Sequence, residues 1–180
     1  MFDLIAHRNS MILIKSIILP DDKAAKVTKI QTMIIRKAKP EELSILCAFQ
    51  QQMALETEKL HLDENTLSSG IQAVFNDPSK GCYYVAEEGN KIVGMLLITY
   101  EWSDWRNRTV YWIQSVYVLP EHRRQGVYKA LYEHILNQAK ESHSVGGIRL
   151  YVDNSNHQAK LVYTRSGMNG DHYQVFEWMK

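Results

Sequence analysis

The stretch Val116-Tyr117-Val118-Leu119-Pro120-Glu121-His122-Arg123-Arg124-Gln125-Gly126-Val127-Tyr128 decides how this chain is read. Its first residues close an apolar run that begins at Val110 and reads as a long strand, with Pro120 ending it. From Val127 the period changes. Val127, Leu131, Ile135 and Ala139 recur every four residues, the stripe of a helix running to about Glu141. A strand, a proline, two arginines, a glycine and then a helix form an arrangement suited to phosphate. The first N–H groups of a helix have no internal partner and carry partial positive charge. Gly126 lets a ligand approach the backbone with no Cβ in the way, and Arg123 and Arg124 add charge at the mouth. An ordinary strand-to-helix turn with solvated arginines has the same composition, so the loop by itself leaves both readings open. Two other nucleotide motifs are absent. There is no Gly-x-x-x-x-Gly-Lys-Ser/Thr and no Gly-x-Gly-x-x-Gly after a strand, which excludes a P-loop and a dinucleotide fold.

Working outward, Met33 to Ala38 reads as a strand, and Pro40-Glu41-Glu42 starts a helix that continues to about Glu58. Leu67, Ile71, Val74 and Phe75 give the buried face of a second helix, stopped at Asp77-Pro78. Cys82–Ala86 and Ile92–Tyr100 are strands around the turn Glu88-Gly89-Asn90-Lys91. A polar-aromatic loop from Trp102 to Arg108 follows. Beyond the central helix, Gly146-Gly147 marks a break, and Ile148–Val152 is the next strand. A short helix from about Asn156 to Arg165 stops at Gly167, and Tyr173–Met179 is a final strand. With no repeat, low-complexity tract or linker, residues 33–180 read as one α/β domain.

The composition is that of one ordinary globular domain: 180 residues, 45% apolar, 23% charged and a formal net charge of +1. Nothing pulls the whole molecule toward nucleic acid or an anionic membrane. Arg106, Arg108, Arg123 and Arg124 form no basic stripe, which argues against a nucleic-acid surface. Cys47 and Cys82 lack metal-ligand spacing, and no His-x-x-x-His pair occurs, so no metal site is expected. Free thiols suit a reducing compartment, hence a cytoplasmic location. Met1–Thr32 carries two apolar runs, but Lys15 and Pro20-Asp21-Asp22-Lys23 interrupt them. That stretch is too short and too broken to span a bilayer, and is expected to be an N-terminal extension of residues 1–32 ahead of the domain.

The segment from Val116 to Val127 resembles the strand and Arg/Gln-x-x-Gly-x-Gly/Ala loop of the GNAT superfamily of N-acetyltransferases. A second block agrees with it downstream. Leu150-Tyr151-Val152, Asn156, Ala159, Tyr163, Gly167 and Met168 are similar to the family's strand followed by Asn-x-x-Ala-x-x-x-Tyr-x-x-x-Gly-Phe/Met. The resemblance covers about residues 33–180. It implies an α/β (α+β) single domain with a central mixed, mostly antiparallel sheet, splayed in the middle and flanked by helices. One position departs from the pattern: Tyr128 stands where the family has a small residue, which questions the usual close approach there.

The resemblance further implies that acetyl-CoA is the co-substrate and a small-molecule primary amine the acceptor, acetylated by direct attack. Coenzyme contacts then fall to Val116, Tyr117 and Val118 on the strand, to Arg123, Arg124, Gln125, Gly126, Val127 and Tyr128 in the loop, and to Asn156. Asn is also a preferred helix N-cap, and the two roles are compatible. Tyr163 matches the tyrosine that protonates the departing thiolate, against the alternative of a core tyrosine. The base is read as Glu101, with Asp104 or water as alternatives. Glu56, Trp102, Asp104, Trp105 and Gln114 are expected to line the acceptor pocket, since acids and aromatic faces suit a cationic amine. The same aromatics beside a hairpin also suit core capping or a homodimer contact. A second class of function is an acetyl-CoA-binding regulatory module without transferase activity.

Overall fold

Alternation and helical period place the elements close to where the sequence predicts them. The computed structural model describes residues 33–180 apart from 153, 155, 177, 179 and 180, so the extension expected at Met1–Thr32 lies outside the described residues. Strand β1 (Met33–Lys37) leads through a single 3-10 turn at Pro40–Glu42 into helix α1 (Leu43–Thr57). Helix α2 (Glu64–Asn76) starts at Asp63, whose carboxylate accepts from the Thr66 N–H at 2.8 Å. Strands β2 (Cys82–Glu88), β3 (Lys91–Ser103) and β4 (Arg108–Val118) form an antiparallel meander. Helix α3 (Val127–Glu141) then carries the chain over to β5 (Val145–Leu150) at the edge of β4. The five strands lie in the order β1-β2-β3-β4-β5.

Successive side chains on a strand point to opposite faces, and the two faces are covered by different helices. Tyr83, Val85, Met95 and Tyr117 pack against Leu46, Phe49 and Ile71 of α1 and α2. Tyr84, one residue along, faces α3, where its ring meets His134 edge-on at 5.4 Å and its hydroxyl donates to Gln138 at 2.8 Å. Leu131 and Ile135 of α3 are fully buried, as their spacing requires. The first residue of α3 is anchored more closely still. A Cβ built on Gly94 would stand 3.0 Å from Cγ1 of Val127 and 3.1 Å from the Tyr117 carbonyl oxygen, so a bare glycine on β3 lets the helix start sit on the sheet.

Three expectations need correction. Trp102 and Ser103 belong to β3, and the expected loop shrinks to the turn Asp104–Asn107. Asn107 takes a left-handed φ of 48°, which Asn tolerates better than most residues. Gly146-Gly147 do not break the chain but lie inside β5. A Cβ on Gly146 would meet Cβ of Arg108 at 3.2 Å, so the glycine permits close passage of the strand. The strand expected at Tyr173–Met179 does not form among the described residues there. Tyr173, Phe176 and Trp178 are exposed, so this apolar pattern is not buried as a strand face.

The described chain divides into two packing units, one ending at Arg149 and one beginning at Leu150. In the second, α4 (His157–Arg165) is capped by Asn156, whose side-chain oxygen accepts from the Ala159 N–H at 3.0 Å. It ends at Gly167, with a left-handed φ of 83°. Among the described residues no helix is long and apolar enough to cross a membrane.

Gly94→Ala is expected to cost about 1–3 kcal/mol through overpacking against Val127, read as a lower midpoint in denaturant unfolding. A neutral or stabilising result would show that the start of α3 gives way freely.

Candidate active site

The loop between β4 and α3 is held by the sheet on one side and by its own side chains on the other. Leu119 N–H donates to the Val93 carbonyl at 2.9 Å, and Pro120–His122 form a 3-10 turn. The amide of Gln125 donates back to the Glu121 carbonyl at 2.7 Å, closing the loop. Arg124 and Gly126 both adopt left-handed backbone, with φ of 61° and 86°. For Arg124 this conformation is strained, a kind of strain that clusters at ligand-binding loops. Helical bonding in α3 begins with Ala130 N–H to the Gly126 carbonyl at 2.9 Å, so the N–H groups of the turn before it face outward. A Cβ on Gly126 would meet nothing within 4 Å. The space in front of it is open.

Two loop side chains lie elsewhere than their charge or size implies. Arg123 folds back toward the end of α1. Its Nη2 meets Glu56 Oε2 at 2.6 Å, its Nε donates to the Val118 carbonyl at 2.9 Å, and its guanidinium lies 5.4 Å from the Tyr117 ring centroid. The Tyr117 hydroxyl donates to the other Glu56 oxygen at 3.1 Å, and burial together with that carboxylate pushes its pKa up. Tyr128 stacks on Tyr132 one turn further along α3, at 6.1 Å between centroids and 19° between planes. The ring therefore lies along the helix, and the family's small-residue position is filled by a side chain that points down α3.

Next to the loop, β4 carries a feature that no sequence pattern marked. Leu97 pairs with Ser115 and Ile98 with Ile113, leaving Gln114 as the extra residue of a β-bulge, with its side chain exposed. The bulge is held from below. Gln50 of α1, buried, donates to Ser115 Oγ at 2.9 Å and to the Tyr83 hydroxyl at 3.1 Å. The bulge also corrects an expectation, that Ile113, Ser115 and Tyr117 share one face. Ser115 and Tyr117 pair with Leu97 and Met95, whereas Ile113 pairs with Ile98 and is buried on the opposite face, because the extra residue shifts the alternation.

At the far end of β3, Glu101 shares the α1 face with Met95 and Leu97. One of its oxygens accepts from Arg149 Nη1 of β5 at 2.7 Å, and the other accepts a short hydrogen bond from the Trp112 indole of β4. The Arg149 guanidinium also lies 5.8 Å from the Trp112 ring centroid. Three strands are thus tied through one carboxylate. Asp104 caps its own turn, accepting from the Trp105 N–H at 2.8 Å. Trp102 and Trp105 are 63% and 92% exposed, too far into solvent to wall a cage. Beside them a cleft of about 220 Å³ is lined by Arg106, Val110, Gly146, Gly147, Ile148 and Arg149.

Of the expected site residues, the structure brings Glu56, Tyr117, Val118 and Arg123 into one cluster, and Glu101 into another with Trp112 and Arg149. Sequence reasoning missed Arg149 and Gln50. Arg149 was visible as a lone charge inside the apolar run Ile148–Val152. In the second unit, Tyr163 lies on α4 with its phenol pKa raised by burial, and Asn156 is the N-cap described above. Among the described residues no group of three or more His, Cys, Asp or Glu side chains could hold a metal ion.

The model of the acetyltransferase (GNAT) family matches residues 45–168. This chain belongs to the GNAT family. A solved "possible acetyltransferase" from Clostridium difficile 630 is 38% identical, with a TM-score of 0.78 over 82% of this chain and 97% of that one. More distant structures share the fold. An aminoglycoside acetyltransferase from an uncultured soil metagenomic sample, solved with sisomicin, is 21% identical with a TM-score of 0.62, over 82% of this chain and 95% of that one. An aminoglycoside N-acetyltransferase solved with CoA is 13% identical with a TM-score of 0.71, over 86% of this chain and 99% of that one. A search of curated proteins finds no match. In this GNAT chain the bulge at Gln114 lies in β4, and the loop Arg123–Tyr128 follows the same strand into α3.

Proposed function

We propose that this GNAT protein transfers an acetyl group from acetyl-CoA to a primary amine of a small molecule by direct attack. One observation carries the reading: the left-handed pair Arg124 and Gly126 before α3, with open space in front of Gly126. Backbone N–H groups at a helix start suit a pyrophosphate, and a glycine with nothing facing it admits one. The residues present therefore fit the coenzyme. Arg124, Gln125, Gly126, Val127 and Tyr128 would hold the pyrophosphate through backbone, and Val116 and Val118 would bind the pantetheine arm along the edge of β4, with Asn156 as a further contact.

Acetyl-CoA supplies a thioester carbonyl that a neutral amine can attack. The work of the chain is proton handling: one proton leaves the amine as the N–C bond forms, and one reaches sulfur as the C–S bond breaks. The proposal gives the second proton to Tyr163. Burial raises its phenol pKa above the ordinary value, so it stays protonated through neutral pH and can donate. The first proton is given to water, since Glu101 is held by its ion pair with Arg149 and by the Trp112 indole. Glu101 then acts as a positioning residue for Arg149 and Trp112. A reducing, cytoplasmic setting fits the free thiols of Cys47 and Cys82.

That engagement of Glu101 also favours the second reading, a coenzyme-binding module without transfer. A thiol-release assay with an amine panel separates the two, since the module binds acetyl-CoA and releases no thiol with any amine.

Gly126→Asp is expected to weaken acetyl-CoA binding at least tenfold by steric and like-charge clash; unchanged affinity by calorimetry would remove the loop from the site. Tyr163→Phe should lower kcat by roughly 10²-fold, the low end for a general acid, with little change in coenzyme affinity. Equal loss of both would mark Tyr163 as packing. Glu101→Gln should keep the acidic limb of the kcat/KM profile against pH, whereas loss of that limb would identify Glu101 as the base.

A further inference from the structure

Of the acids expected at the acceptor pocket and as the base, two are already matched with cations. Glu56 is paired with Arg123 at 2.6 Å and also accepts from Tyr117. Glu101 is paired with Arg149 at 2.7 Å and accepts from Trp112. Asp104 accepts from the backbone of its own turn. A polycationic acceptor would have to displace a guanidinium from Glu56 or Glu101 to gain an ion pair.

The cleft beside Glu101 has the opposite character. It is lined by two arginines, Arg106 and Arg149, by one apolar residue from each of β4 and β5, and by two successive glycines of β5. No acid lines it. Arg106 donates to the Ser103 hydroxyl at 3.4 Å, a neutral partner rather than a carboxylate. Its stem is fixed by Gly146: a Cβ there would stand 3.3 Å from Arg106 Cδ, so the glycine lets the arginine lie flat across β5. At Gly147 a Cβ would meet nothing within 4 Å, which leaves that part of the wall open. Val110, 3% exposed, supplies a dry floor. About 220 Å³ is below the roughly 300–1,000 Å³ of sites for drug-sized ligands. It fits a small molecule or one terminal group of a larger one.

We infer that the acceptor is a small amine that also carries a carboxylate, and that Arg106 and Arg149 recognise that carboxylate while Glu101 keeps Arg149 in place. Guanidinium groups match a carboxylate in shape and charge. The inference rests on the transferase reading and narrows it: an amino acid or similar zwitterion rather than a polyamine or an aminoglycoside. Arg106 is the specificity-determining residue because no acid among the described residues is paired with it.

The full chain with acetyl-CoA is assayed for thiol release with alanine, β-alanine and glutamate, the amides alaninamide and β-alaninamide, and spermidine and sisomicin. The expected result is kcat/KM at least tenfold higher for an acid than for its amide, with that ratio falling toward one in Arg106→Gln and partly restored in Arg106→Lys. Acetyl-CoA affinity by calorimetry should be unchanged in both variants. An amide equal to its acid, or spermidine or sisomicin as the best acceptor, overturns the inference. Ligand-observed NMR on the CoA-loaded protein separates it from the parent reading. Arg106-dependent binding of the acid over the amide without thiol release supports the carboxylate site and rejects the transferase. Equal binding of acid and amide rejects the carboxylate site even where thiol is released.

Discussion

The seat of Val127 on the bare backbone of Gly94 is the contact on which the rest of this molecule depends. A helix start can serve as an anion site only if it is fixed in place. Here the first residue of α3 is 1% exposed and sits where any side chain on β3 would collide with it. Leu131 and Ile135 continue the same buried stripe, so the whole helix is registered against the sheet from its first turn. The loop before it is then drawn tight between Leu119, bonded to Val93, and Val127, packed on Gly94. Seven residues must turn the chain through that gap, and left-handed backbone at Arg124 and Gly126 is how they do it.

The opposite face of the sheet is organised by polar contacts of a different kind. Gln50 reaches from α1 to Ser115 at the bulge, and Glu56, six residues on, reaches Arg123 and Tyr117. One helix therefore holds both the irregular strand and the loop that follows it. The Gln50 contacts are buried, where an unmet amide costs about 1–3 kcal/mol, so this helix position is constrained by chemistry rather than by shape alone. The Arg123–Glu56 pair is more exposed and contributes correspondingly less, about 0–1 kcal/mol for pairs of that kind. Its effect is geometric, holding a loop arginine against α1.

Most of the fold was legible because it rests on periodicity. The stripe of Val127, Leu131 and Ile135 and the alternation of Tyr83 with Tyr84 and Val85 are local patterns, and local patterns survive into the structure. What was not legible depended on contacts distant in sequence. Gly146-Gly147 read as a break because glycine is usually punctuation, yet Arg106 and Arg108, some forty residues earlier, are the reason glycine is needed within that strand. The bulge at Gln114 has no sequence mark, since it arises from the pairing of β4 with β3. Tyr173–Met179 had the alternation of a strand, but alternation predicts a strand only where there is a neighbour to pair with. Among the site residues, Gly126 and Asn156 were legible as a turn glycine and a helix cap. The pairing of Glu101 with Arg149 was not, because forty-eight residues separate them.

The charge of the loop changes meaning once its side chains are placed. In sequence, Arg123 and Arg124 look like two equivalent cations waiting for phosphate. In the structure Arg123 bonds a carboxylate, a carbonyl and the face of a tyrosine, all on the α1 side. In front of α3 stand helix-start N–H groups, a glycine with open space before it, and Arg124 with its left-handed backbone. Tyr128 fits the same logic. Its ring stacks on Tyr132 down the helix, so a bulky residue occupies the family's small position while its backbone still belongs to the helix start. The proposed anion site, being made of backbone, would tolerate such a substitution, because the ring packs along the helix while the N–H stays at its start.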